Sequence, residues 1–147
     1  MMGRLTEQRG DLLGSGLQAV GHGVNTVGAM GAGIAVQFRR RWPAMYDQYR
    51  EECRSGHLKP GSVFVWYEEP VVVYNLATQP FPGPCAQLSY IASAVRGMLA
   101  DASDRAISTV GLPRLGAGYG GLEWGPVKAL LDDIVLGSAT DIVVYYL

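Results

Sequence analysis

Five short runs rich in Val, Ile, Tyr and Phe alternate with stretches whose apolar residues recur every 3.6 positions, and that alternation restricts the chain to a sheet covered by helices. The runs lie at residues 17–20, 62–67, 71–76, 107–112 and 142–147. They are bounded by Gly and Pro clusters and read as strands, mostly central ones. Between them, Leu88, Ile91, Ala92, Val95, Met98 and Leu99 share one helical face, as do Val127, Leu130, Leu131, Ile134 and Val135. Residues 34–41 and 44–53 predict two further helices, with Pro43 at the junction as a stop and a restart. The expected fold class is α/β, with a largely parallel or mixed sheet and helices on both faces. In such sheets ligands bind at the carboxyl ends of the strands.

Two glycine-rich stretches fall at strand-to-helix junctions. The first, NTVGAMGAGIAVQF, spans residues 25–38; the second, PRLGAGYGGLEW, spans residues 113–124 and holds four glycines in twelve positions. Gly28, Gly31 and Gly33 are expected to turn with positive φ and expose backbone N–H groups, and a helix starting near Gly33 adds its partial positive end. Each loop can cradle a phosphate, and two in one small domain suggest a diphosphate gripped from both sides. Gly116, Gly118 and Gly121 also satisfy GxGxxG, the dinucleotide fingerprint. That motif needs an acidic residue closing the next strand; Asp141 has the spacing but precedes its strand, so a dehydrogenase is rejected.

Composition removes several other classes. At 147 residues with 48% hydrophobic side chains, the chain is expected to form one domain, 1–147, around a single core. Twelve basic and thirteen acidic residues give a net charge of -1, so no global field draws it to nucleic acid or an anionic membrane. The N-terminal MMGRLTEQRG is too polar for a signal peptide, and the longest aliphatic run, residues 71–73, is too short to span a bilayer. A cytoplasmic, monomeric protein with no membrane contact is the expectation. Cys53 and Cys85 form no CxxC pair, so no metal site is expected.

The quoted motifs, with GDLL at 10–13 and YNLATQ at 74–79, carry a family likeness: the sequence resembles a macrodomain, the ADP-ribose-binding fold. Within that superfamily it is similar to the branch holding terminal ADP-ribose protein glycohydrolases and bacterial antitoxins that strip ADP-ribose from DNA. The resemblance implies a three-layer sandwich with a mixed, mostly parallel sheet. It implies that Asp11, with Leu12 beside it, accepts a hydrogen bond from the adenine amino group; a turn or cap is the competing reading for Asp11. It implies that Asn25, Met30, Gly31, Ala32, Gly33, Ile34 and Ala35 approach the distal ribose and a phosphate, with Thr78 close by. It implies that Leu115, Gly116, Ala117, Gly118, Tyr119 and Gly120 wrap the diphosphate from the other side. No cofactor is implied.

The branch's glycohydrolases use a lysine after the central strand and an aspartate in the second glycine loop; here those positions hold Gln79 and Gly120. Neither replacement can form a covalent intermediate. An ester to Glu or Asp departs as a carboxylate, whose conjugate acid has an ordinary pKa of about 4, and needs no general acid, whereas a serine ether does. The expected function is therefore ADP-ribose binding with hydrolysis of mono-ADP-ribose from acidic protein side chains, water being positioned by Asn25, Gln79 and the loop around Gly120. The alternatives are a non-catalytic reader, or a hydrolase of ADP-ribosylated DNA or O-acetyl-ADP-ribose. Partners are ADP-ribose or an ADP-ribosylated protein, with nucleic acid ranked lower.

Other residues read mainly as structural. Arg39, Arg40 and Arg41 complement a helix end. His22, placed at a strand-to-loop transition, and His57, in a turn, have no triad partners. Arg114 is read first as one half of an ion pair, and Glu123 as a charge favoured by its helix N-terminus. Trp42, Trp66 and Trp124 are read as packing. The proline-rich QPFPGPC, residues 79–85, is expected to edge the crevice, with Phe81 shielding the distal ribose.

Overall fold

The strand VVVYNLA shows how the layers form. In the computed structural model, which describes residues 2–147, this segment is β4 (Val71–Ala77). Met1, the first residue of the polar N-terminal run, lies outside the described residues. Val72, Tyr74 and Leu76 face one hydrophobic cluster while Val73 and Ala77 face the other. A strand buried on both faces reads as a continuous apolar run because alternate side chains serve opposite cores.

The remaining elements are β1 (Leu5–Arg9), β2 (Ala19–Val24), α1 (Ala35–Arg41), α2 (Pro43–Arg54), β3 (Val63–Glu68), α3 (Leu88–Asp104), β5 (Thr109–Leu112), α4 (Trp124–Val135) and β6 (Asp141–Tyr146). The six-stranded sheet has the order β1-β6-β5-β2-β4-β3. Every neighbouring pair is parallel except β3 with β4. Helices α3 and α4 pack on one face through Ile91, Val95, Met98, Val127 and Leu131. Helices α1 and α2 cover the other through Phe38, Met45 and Tyr49. The expected three-layer α/β architecture is what forms.

Two expectations about strands need correction. The segment LTEQR is not among the five expected runs, yet it forms β1, an edge strand on β6 whose residues beyond Leu5 are exposed. Its polar composition suits an edge and hides it from an apolar-run search. The strand expected at 17–20 starts at Ala19 and continues through Gly21, His22 and Gly23 to Val24. A Cβ at Gly21 would sit 2.8 Å from Leu112 Cδ2 and 3.1 Å from the Tyr74 carbonyl oxygen, so close strand neighbours demand the residue that breaks the hydrophobic pattern. Helices α1 and α2 fall within a residue or two of expectation, whereas α3 runs five residues past Leu99 to Asp104 and α4 begins three residues before Val127, at Trp124. Pro43 occupies the first position of α2, where its missing N–H costs nothing.

Because β2, β4 and β5 run in one direction, the loops leaving Val24, Ala77 and Leu112 emerge at the same pole. These are the two glycine-rich loops and the proline-rich loop.

Candidate functional site

The three loops enclose a cleft with two communicating lobes. The smaller, ≈190 Å³, is lined by Gly23, Val24, Asn25, Ala29, Met30, Gly31, Ala32, Ala35, Gln79, Pro82, Gly83 and Tyr119. The larger, ≈330 Å³, adds Gly33, Ile34, Thr78, Pro113, Arg114, Leu115, Gly116, Ala117, Gly118 and Gly120, and shares Gly23, Ala32, Ala35, Gln79 and Tyr119 with the first. Both glycine loops thus face one cavity. Asp11 and Leu12 do not line it: Asp11 Oδ1 accepts from Leu13 N at 3.3 Å, capping a short 3-10 turn, and Leu12 is buried.

The first loop is shaped from below. Asn25 Oδ1 accepts from Val27 N at 3.1 Å, Ala29 N at 3.3 Å and the Tyr49 hydroxyl at 3.0 Å, while its Nδ2 donates to Ala29 O at 2.9 Å. Its carbonyl oxygen has no lone pair left for water or a ribose hydroxyl. Asn25 is therefore first a loop-forming residue: its oxygen is committed to the loop, while one Nδ2 hydrogen has no protein partner among the described residues. Tyr49, on α2 and fully buried, shares its one hydroxyl hydrogen between Asn25 Oδ1 and the nearer Asn25 backbone carbonyl at 2.8 Å. Burial pushes its phenol far above the ordinary range, so it stays a donor at any physiological pH. Sequence reasoning misses Tyr49 because its partner lies 24 positions away. Tyr49→Phe is expected to cost about 1–2 kcal/mol, since buried acceptors lose their donor; urea denaturation measures it, and a change within error would remove Tyr49 from this role.

Gly28 and Gly33 turn with φ of +86° and +61°, but Gly31 has an ordinary φ, contrary to expectation. A Cβ at Gly31 would meet nothing within 4 Å. Gly121 is the opposite case: its φ is +82°, and a Cβ there would lie 2.6 Å from Pro84 Cβ and 3.0 Å from Pro84 Cα. Glycine at 121 lets the second glycine loop close against the proline-rich loop.

Gln79 and Gly120 meet inside the cleft. Gln79 Nε2 donates to Phe81 O at 2.6 Å and Gly83 O at 2.7 Å, spending both amide hydrogens on the proline-rich loop. Its Oε1 keeps its lone pairs and lies 3.3 Å from where a Cβ at Gly120 would stand. That Cβ would also be 2.9 Å from Ala86 Cβ, so the backbone here has no room for a side chain at 120. Tyr119 is 68% exposed and packs 3.7 Å from a Cβ built at Gly33, bridging the two loops; Phe81 is exposed and does not line either lobe.

His22 lies within β2, fully buried, not at a strand-to-loop transition. Its ring stacks on Phe38 at 3.8 Å, and Nε2 lies 2.7 Å from Asn75 Oδ1. Asn75 Nδ2 donates to Phe64 O at 3.2 Å and faces Met45 Sδ at 3.4 Å, so Oδ1 turns to the ring and Nε2 carries the hydrogen. Nδ1 has no partner. Burial, opposed by the Asn75 bond, pushes the imidazole down to about 4. It is neutral and structural, and it lines neither lobe of the cleft.

The remaining side chains hold the frame. His57 faces Glu52 at 3.0 Å on the surface. Arg39 lies over Tyr46 and Arg41 over Trp42, each at 5.5 Å, and Arg41 Nη1 donates to Leu13 O at 3.3 Å. Trp42 is buried, and Trp124 Nε1 donates to Glu7 Oε1 at 2.8 Å. Arg114 Nη2 is 3.6 Å from Glu7 Oε1, the ion pair expected for it. Glu123 precedes α4 without a side-chain cap bond. Cys53 and Cys85 are free thiols; burial raises the Cys53 thiol. No group of three His, Cys, Asp or Glu able to hold a metal occurs among the described residues, and no helix there is long and apolar enough to cross a membrane.

Residues 22–131 match the family model described as Macro domain. The chain belongs to the macro domain family. It is 32% identical over 129 residues to a DNA ADP-ribosyl glycohydrolase of Thermus aquaticus, covering 85% of this chain and 36% of that protein. It is 34% identical over 131 residues to the DNA ADP-ribosyl glycohydrolase of Mycobacterium tuberculosis, covering 86% and 37%. This macrodomain thus spans about a third of the length of those relatives. The solved macrodomain of Thermus aquaticus DarG superposes with a TM-score of 0.88 at 30% identity, covering 99% of both chains.

Proposed function

We propose that this macrodomain binds ADP-ribose in the two-lobed cleft and hydrolyses its ester to glutamate or aspartate side chains, using water rather than a protein nucleophile. The observation that carries this reading is the Gln79 amide. Both of its hydrogens are committed to the proline-rich loop, so its oxygen is fixed as an acceptor beside Gly120, in a lobe lined by no lysine, aspartate, glutamate, serine or cysteine among the described residues. Such an oxygen orients a water by accepting one of its hydrogens but cannot form a stable glycosyl intermediate. Water attacks the anomeric carbon of the distal ribose, the bond to the side-chain oxygen breaks, and the proton shed by the water passes to bulk solvent. The electron pair leaves with the carboxylate, a group that needs no protonation at neutral pH. A serine ether would require a general acid, and Gly120 supplies none.

In this reading the amides of Gly116, Ala117, Gly118 and Tyr119 and those of Gly31 to Ile34 hold the diphosphate, and Asn25 with Tyr49 keeps the first loop in shape. Asp11, exposed at the end of β1, meets the adenine amino group. A second reading, hydrolysis of ADP-ribosylated DNA, is favoured by the names of the relatives above 30% identity.

Release of free ADP-ribose from glutamate-linked, serine-linked and DNA-linked substrates separates these readings. Faster turnover of the glutamate ester is expected, with Gln79→Ala lowering kcat at least about tenfold while ADP-ribose affinity changes little. Preferential release from DNA would replace the protein substrate, and binding without release from any of the three would make the domain a reader.

A further inference from the structure

Arg114 is the one charged side chain lining either lobe among the described residues. It directly follows Pro113 at the exit of β5, and its carbonyl accepts from Ala117 N at 3.2 Å, which ties its backbone to the second glycine loop. Its guanidinium lies 4.6 Å from the centre of the Tyr146 ring and 5.7 Å from that of Trp124. Its contact with Glu7, at 3.6 Å, is too long for a hydrogen bond, and the arginine side chain is 42% exposed. Glu7 has a firmer partner, the Trp124 indole at 2.8 Å. The carboxylate therefore stays in place whether or not the arginine faces it.

That arrangement differs from a closed structural ion pair. The guanidinium sits beside two aromatic rings, Glu7 attracts it without a direct bond, none of its N–H groups is hydrogen-bonded among the described residues, and Arg114 lines the larger lobe. We infer that Arg114 supplies the positive charge for a phosphate of the nucleotide held in the larger lobe, and that Glu7 restrains this charge by competing for it. The inference rests on the ADP-ribose reading above and adds a residue and a regulator to it. It also accounts for how a chain of net charge -1 meets a doubly charged ligand: the cation is local, and its strength is set by one neighbouring carboxylate.

Two substitutions should act in opposite directions. Titration calorimetry with ADP-ribose at several salt concentrations is expected to show Arg114→Met weakening binding roughly tenfold, with a shallower salt dependence. Glu7→Gln, which keeps an acceptor for Trp124, is expected to tighten binding about two- to threefold. Adenosine, which has no phosphate, should bind both variants as it binds the wild type. Arg105→Gln, an arginine paired with Asp101 at the opposite pole, serves as the charge-loss control and should leave affinity unchanged. Unchanged ADP-ribose affinity in Arg114→Met, or an equal loss for adenosine, would overturn the inference while leaving ADP-ribose binding intact. Absence of ADP-ribose uptake by the wild type would remove both.

Discussion

Gly31→Val is expected to weaken ADP-ribose binding by roughly 100-fold or more, about 2.7 kcal/mol, while thermal stability stays near that of the wild type. Gly31 lines the smaller lobe, has a φ that any residue adopts, and would carry its Cβ into empty space. The added isopropyl group therefore meets no protein atom in the unliganded fold, yet it takes up part of a volume of only ≈190 Å³. Gly121, with positive φ and Pro84 against it, shows what the other kind of glycine looks like: there a side chain would damage the fold itself. Calorimetry and a melting curve on the same preparation separate the two effects. Normal affinity in Gly31→Val would mean that the ligand does not enter this lobe.

The second large effect is acid sensitivity from His22. Its ordinary value is 6.5, and burial holds it near 4 in the folded chain. A depressed folded value means that the unfolded chain binds the proton first, so the stabilisation is complete above about pH 6.5 and is lost progressively as pH falls towards 4. Over that window the loss approaches about 3 kcal/mol. Protonation would also place a hydrogen on Nδ1, which has no acceptor. Urea denaturation at pH 7 and pH 4.5 should show a larger drop for the wild type than for His22→Gln, in which no proton is taken up at this site. Equal drops in the two proteins would show that His22 does not titrate in this range.

The sequence is most legible where one local cause acts. Helices α3 and α4 can be read because each presents one apolar stripe to one sheet face, and β4 because both its faces are buried. β1 cannot: LTEQR is held by backbone pairing to β6, more than 130 positions away, and its side chains are mostly exposed. The start and end of β2 are blurred by Gly21 and Gly23, whose smallness answers to Leu112, Tyr74 and Thr78 across the sheet. At the cleft, spacing reveals the glycine loops but not which glycines turn: Gly31 is expected to, and does not. The partners of Asn25 and Gln79 are hidden for another reason. An amide side chain looks like a ligand contact in sequence, and only the fold shows that one Asn25 hydrogen is engaged by Ala29 and both Gln79 hydrogens by Phe81 and Gly83.

The parallel pairing of β1 with β6 has a practical corollary for anyone attaching something to this domain. Leu5 is level with Ile142 and Arg9 with Tyr146, so the segment ahead of β1 departs from the pole opposite the cleft. Leu147 follows the last residue of β6 and departs from the pole where the three loops gather. A dye, surface linker or affinity handle placed ahead of β1 begins roughly 20 Å from the loops, the rise of a six-residue strand. The same attachment at Leu147 would crowd the entrance, and a binding assay that immobilised the domain by that end would report the tether as well as the ligand.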